Sequence, residues 1–191
     1  LLFAVTKRIV QADRATHEGK LGEFFASHMG LELKGRQLGL IGLGRIGGHV
    51  AKVAVALGMQ VCAYDPYVPD ARFADLGVER ATSLEGLLSG AVVVSLHAPN
   101  LPETRHLINA QRLAQMKPGA VLINASRTAL VDEVAGLDVL KRGHMGAAGL
   151  DVFEEEPPKP DNPLFRLDNV IVTPHVASMT RIAHDSMWQG A

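Results

Sequence analysis

Short apolar runs alternate with segments of helical spacing along most of the chain. Seven runs read as strands: 37–43 (QLGLIGL), 60–65 (QVCAYD), 78–81 (VERA), 91–97 (AVVVSLH), 120–126 (AVLINAS), 146–153 (GAAGLDVF) and 170–175 (VIVTPH). Most are near-continuous rather than alternating, as expected of parallel strands buried on both faces. Between them, RIGGHVAKVAVALG sets Ile46, Val50, Val53 and Leu57 on one stripe and closes at Gly58, a C-terminal capping glycine. TSLEGLLSG opens on Thr82 or Ser83 as N-cap and closes at Gly90. DEVAGLDVLKRG begins with acids, ends on Lys141 and Arg142 and stops at Gly143, which suits the helix dipole at both ends. Gly136 inside that helix is a flaw of about 1 kcal/mol against alanine. The opening, LLFAVTKRIVQADRATHEGK, reads as helix from its first residue. Strands alternating with helices mean βαβ units with right-handed crossovers. The expected fold is α/β: a Rossmann-type doubly wound parallel sheet of about seven strands, with helices on both faces. Only EEEPPKPDNP (154–163) is linker-like.

The segment LIGLGRIGGHV carries Gly42, Gly44 and Gly47 as G-x-G-x-x-G, between a strand and a helix. Asp65 follows at the end of the next strand, which is the context that makes the motif specific. Gly42 permits the tight turn, Gly44 lets backbone approach a pyrophosphate, and Gly47 allows close helix–strand packing. The helix N-terminus, with free N–H groups at Arg45 and Ile46, favours the diphosphate charge. Asp65 can accept from both adenosine ribose hydroxyls and repel a 2′-phosphate, which predicts NAD over NADP.

Ligands in such sheets sit outside the carboxyl ends of the strands. LINASR delivers Ser126 and Arg127 there, GLDVFEEE delivers Asp151 and three glutamates, and VTPH delivers His175. Arginine can hold a substrate carboxylate or polarise its carbonyl with a permanent charge. Histidine can supply a proton as hydride arrives, or remove one in reverse. A carboxylate beside the histidine favours imidazolium and fixes its orientation. The set suits reduction of a 2-oxo acid. His97 also ends a strand at the crevice and is an intermediate candidate for touching cofactor.

Bulk properties narrow the class. Of 191 residues, 47% are hydrophobic and 20% charged, an ordinary globular balance. A net charge of -1 gives no general attraction for nucleic acid or acidic membrane surfaces. No apolar run approaches the ~18 residues of a membrane span. The lone cysteine, Cys62, excludes an internal disulfide and a thiolate cage, and its strand context predicts burial. The remaining histidines show no spacing of a metal site, so none is expected. A cytoplasmic, soluble protein is the expectation.

GRQLGLIGLGRIG, YDP, SLHAPNLPETRHLIN, MKPGAVLINASR, VDE, GLDVFEEEPP and NVIVTPHVAS, in this order, resemble the NAD-binding domain of the D-isomer-specific 2-hydroxyacid dehydrogenases. That family includes phosphoglycerate dehydrogenases and glyoxylate/hydroxypyruvate reductases. The resemblance implies an NAD-dependent dehydrogenase of small D-2-hydroxy acids, with Arg127, Glu156 and His175 catalytic. It implies cofactor contacts at Arg45, Ile46, Asp65, Thr104, Ala125, Ser126 and Asp151, and more loosely at Ala98. Thr128 stands where the family usually has glycine. The resemblance further implies one dinucleotide-binding domain over 1–191, with interdomain helices at 1–18 and 178–191 and the substrate domain outside this segment. It implies a homodimer through this domain, for which the apolar LLFAV would serve. An NAD-sensing corepressor of the same fold is the alternative.

Overall fold

A computed structural model describes residues 1–27, 29–181 and 183. Strands β1 (Gln37–Ile41), β2 (Gln60–Tyr64), β3 (Glu79–Arg80), β4 (Val93–Leu96), β5 (Val121–Asn124), β6 (Ala147–Leu150) and β7 (Val170–Val172) make one sheet, ordered β3-β2-β1-β4-β5-β6-β7. All six pairings are parallel. β4 and β5 are buried at every position, which is why their sequences show no alternation. The expected fold is therefore the observed one.

The helices are α1 (Leu2–Thr6), α2 (Ile9–His17), α3 (Leu21–Ser27), α4 (Arg45–Ala56), α5 (Asp70–Leu76), α6 (Leu84–Gly90), α7 (Ala110–Gln115) and α8 (Glu133–Lys141). Two apolar clusters sandwich the sheet. Val5 of α1, Ala51 and Ala54 of α4, and Phe73 and Leu76 of α5 belong to one. Leu87 and Leu88 of α6, Leu113 of α7, and Val139 and Leu140 of α8 belong to the other. The Ser83 hydroxyl caps α6 by accepting from Gly86 N–H at 3.1 Å, and the Asp132 carboxylate caps α8 through Ala135 N–H at 3.0 Å. Gly58 and Gly143 close α4 and α8 in left-handed conformation, at φ 76° and 71°.

Three expectations need correction. The stripe Ile46–Val50–Val53–Leu57 does not face the sheet: Ile46, Val53 and Leu57 are exposed, and α4 buries Gly47, Gly48, Ala51 and Ala54 instead. The phosphate-loop helix lies too close to β1 for larger side chains, since a Cβ on Gly47 would collide with the Gly42 carbonyl. Hydrophobicity thus pointed to one face while van der Waals space decided for the other. The opening is also not one helix. Arg8 adopts φ 54° and separates α1 from α2. LLFAV is a free apolar face only in part, because α1 packs on β5, β6 and β7, with Val5 buried while Phe3 stays exposed. α5 and α7 were not foreseen, each being too short to show periodicity. The helix expected over 178–191 falls largely outside the described residues.

Candidate active site

The order of strands reverses between β1 and β4, and an open cavity of about 290 Å³ lies beyond their carboxyl ends. It is lined by Gly42 and Gly44 after β1, Asp65 after β2, and His97, Ala98 and Thr104 after β4. Gly42 sits at φ 96°, and a Cβ there would come within 2.7 Å of the His97 carbonyl. No side chain caps α4, so its first N–H groups remain for an anion. Asp65 Oδ2 accepts from Leu43 N–H at 2.8 Å and Oδ1 from Tyr67 N–H at 2.9 Å, which fixes the carboxylate against the glycine turn. Arg72, from α5, donates to the Leu43 and Gly44 carbonyls at 3.5 and 3.3 Å and braces the turn from outside. Turn, helix end and carboxylate fit a dinucleotide.

Around this cavity the other expected contacts differ in what they have free. The Thr104 hydroxyl is engaged in its own loop, donating to the Pro99 carbonyl at 2.7 Å and accepting from Leu101 N–H at 2.8 Å. Ser126 Oγ donates to the Ala98 carbonyl at 2.9 Å, tying the loops after β4 and β5. Arg45, Ile46 and Ala125 are exposed. His97 Nε2 lies 3.0 Å from Ser95 Oγ, and burial pushes its pKa down to about 4. It is a neutral imidazole at physiological pH.

A second cavity, of about 320 Å³, collects Arg127, Glu156 and His175, with Arg105, His106 and Thr128 on its walls. His106 and Ala129 on its wall belong to a short parallel pairing, in which His106 N–H donates to the Ala129 carbonyl and Ile108 N–H to the Leu130 carbonyl, at 2.7 and 2.8 Å. His175 Nδ1 lies 2.8 Å from Glu156 Oε2. Glu156 Oε1 accepts from Phe153 N–H at 3.0 Å, so the carboxylate has a fixed aim. The hydrogen bond with His175, followed by that from Phe153, holds the Glu156 carboxyl below its usual pKa. The neighbouring glutamates go elsewhere: Glu155 pairs with Lys159 at 2.9 Å, and the Glu154 backbone N–H donates to Glu133 Oε2 at 3.3 Å.

His175 adopts φ 55°, a left-handed conformation uncommon outside glycine. Asp151 holds it there. Its carboxylate is 1% exposed and accepts from Thr173 Oγ1 at 2.5 Å, Val176 N–H at 2.9 Å and Ala177 N–H at 2.9 Å. Burial pushes the Asp151 pKa up, but these three donors outweigh it and the net shift is downward.

Residues 1–177 match the family described as D-isomer specific 2-hydroxyacid dehydrogenase, NAD binding domain. The chain belongs to this family. It is 45% identical over 96% of its length to a D-3-phosphoglycerate dehydrogenase of Archaeoglobus fulgidus, and covers 34% of that protein. A glyoxylate reductase of Korarchaeum cryptofilum is 43% identical over 98% of the chain, which covers 57% of it. The solved structure of a D-lactate dehydrogenase with NAD+ from Lactobacillus jensenii superposes with a TM-score of 0.86 at 31% identity, over 98% of this chain and 59% of that one. The chain thus spans between a third and three-fifths of these relatives.

As an NAD-binding domain of this family, the chain carries supports that its motifs do not announce. Asn124, 2% exposed, donates to the Arg127 carbonyl and accepts from Ser126 N–H, both at 3.1 Å, which shapes the turn that presents Arg127. Asn124, Ser95 and Arg72 all escaped the sequence reading. The signal for the first two was a polar residue inside an otherwise apolar strand; for Arg72 there was none, because α5 itself was not legible.

Proposed function

We propose that the full-length protein is an NAD-dependent oxidoreductase acting on a small D-2-hydroxy acid and its 2-oxo counterpart. The observation that carries this reading is the 2.8 Å contact between His175 and Glu156 in a cavity shared with Arg127, beside a dinucleotide cavity. The cofactor, when bound, supplies or accepts the hydride. Gly42, Gly44, Gly47 and the α4 N-terminus hold its diphosphate, Asp65 its adenosine ribose, and Ala98, Thr104, Ala125, Ser126 and Asp151 border the remainder. Arg127 holds the substrate carboxylate or polarises the carbonyl. His175 delivers a proton to the carbonyl oxygen, and Glu156 keeps Nδ1 engaged so that Nε2 is the transferring atom.

Groups completing the substrate pocket belong to a second domain, outside residues 1–191. Two copies associate through apolar side chains that this domain leaves exposed, among them Phe3, Leu21 and Phe25 on α1 and α3 and Val53 on α4. A cytoplasmic setting agrees with a single buried thiol, Cys62, and with the absence of a helix long and apolar enough to cross a membrane among the described residues. The deciding experiment assays the full-length protein with NADH against glyoxylate, hydroxypyruvate, phosphohydroxypyruvate and pyruvate. Turnover of at least one, abolished by His175→Ala and by Arg127→Ala, is expected. NADH binding without turnover of any 2-oxo acid would instead assign a sensing role.

A further inference from the structure

Beyond the ends of β2 and β3 lies a separate open cavity of about 560 Å³, lined by Tyr64, Asp65, Pro66, Asp70, Arg80, Ala81 and Thr82. Tyr64, Asp65 and Pro66 line the dinucleotide cavity as well, so Asp65 stands on the wall between the two. Arg80 is the one cation among the described residues that line the outer cavity. Register puts it opposite Ala63, just before the turn that carries Asp65. Its guanidinium lies over the Phe73 ring, 5.1 Å from the centroid, and pairs through Nη1 with Asp70 Oδ1. Two carboxylates against one guanidinium leave this cavity net negative.

We propose that this cavity is where a phosphate on the adenosine 2′-hydroxyl would have to sit, and that Asp70 is a positioning residue for cofactor choice because it occupies Arg80. The proposal rests on Asp65 facing the adenosine ribose. A 2′-phosphate carries close to two negative charges and seeks planar guanidinium donors. Asp65 repels it directly. Arg80 would attract it, and Phe73 already holds that guanidinium at the cavity wall, but Asp70 has neutralised the charge and taken a donor. Selection for NAD is therefore built from two acids, one that repels and one that masks. Removing the repelling acid alone leaves the masked arginine unable to reward the phosphate. An exposed ion pair contributes little to stability, so the pair has room to act on specificity.

The test measures NADH and NADPH affinity of the full-length protein by fluorescence titration at low ionic strength, where exposed charges are least screened. Asp65→Ser should raise the NADPH-to-NADH affinity ratio. Adding Asp70→Asn should raise it roughly tenfold further, the scale of one charge-assisted hydrogen bond. Arg80→Met in the double variant should cancel that second gain, and added salt should diminish it. An unmoved ratio on adding Asp70→Asn overturns the proposal, as does a gain that survives Arg80→Met. So does a uniform weakening of both cofactors with a lowered thermal midpoint, which is the mark of a purely structural pair. Were Asp70→Asn to misfold, Asp70→Ser in the Asp65→Ser background decides: a ratio raised further supports the proposal and an unmoved ratio overturns it. If Asp65→Ser moves neither affinity, the ribose assignment itself fails and the proposal falls with it.

Discussion

Three adjacent glutamates end with three different fates, and the difference is made by what each carboxylate can reach. Only Glu156 meets a histidine. Glu156→Gln replaces the charged acceptor with a neutral amide that cannot stabilise imidazolium. Reduction should slow by roughly 10²-fold, and the upper pH limb of its rate should move to lower pH; stopped-flow NADH oxidation across pH reads both. Glu155→Gln, which touches only Lys159, should leave that profile in place. Since the Glu156 carboxyl is held below its usual pKa of 4.5, the pair persists down to that range and is lost only as pH falls further. His97 carries a separate dependence. Its folded pKa is about 4 against 6.5, so the unfolded chain binds the proton first, and the stability is full above 6.5 and lost as pH falls towards 4. The loss is on the order of 3 kcal/mol, and His97→Gln should flatten the urea midpoint between those pH values.

Among elements, α4 and α8 use glycine for opposite reasons. In α4 a Cβ on Gly47 meets backbone oxygen that cannot retreat, so Gly47→Ala should displace the helix and weaken NADH binding and stability together. In α8 a Cβ on Gly136 would meet only Val131 Cγ1, at 3.7 Å, an ordinary contact. Gly136→Ala should therefore stabilise by about 0.5–1 kcal/mol, seen as a raised denaturation midpoint with an unchanged slope. The flaw visible in the sequence is thus a real one, whereas the stripe drawn on α4 was not. Apolar periodicity finds a helix, but the buried face is set by the distance to its neighbour. The seven strands were legible because both their faces are buried, and the glycine loop, Arg127 and His175 because they end strands. Asn124 and Ser95 showed only as polar residues inside apolar strands, which marks them without revealing their partners, and Arg72 lay beyond reach because α5 itself was not legible.

At the scale of the whole molecule, both apolar clusters are closed by the chain's own helices, so the segment holds its cofactor site on a finished core. Saturating it with NADH at a hundred times the dissociation constant should add about 2.7 kcal/mol and raise the thermal midpoint by roughly 5–10 °C; scanning calorimetry of residues 1–191 tests this. On the function proposed above, the same segment should reduce 2-oxo acids ~10²-fold more slowly than the full-length protein, because positioning from the proposed second domain would be missing.

Asp151 ties the turn that carries His175 to β6, and β7, the three-residue edge strand before it, has a neighbouring strand on one side only among the described residues. An edge of that length opens locally at less cost than the central strands. On warming, activity should fail before the fold does: turnover lost while the far-ultraviolet signal is intact, recovered on cooling, and accompanied by early amide exchange from Val172 to Ala177. Heat resistance of the proposed activity is then governed by how well one edge is fastened, not by how well the centre is packed.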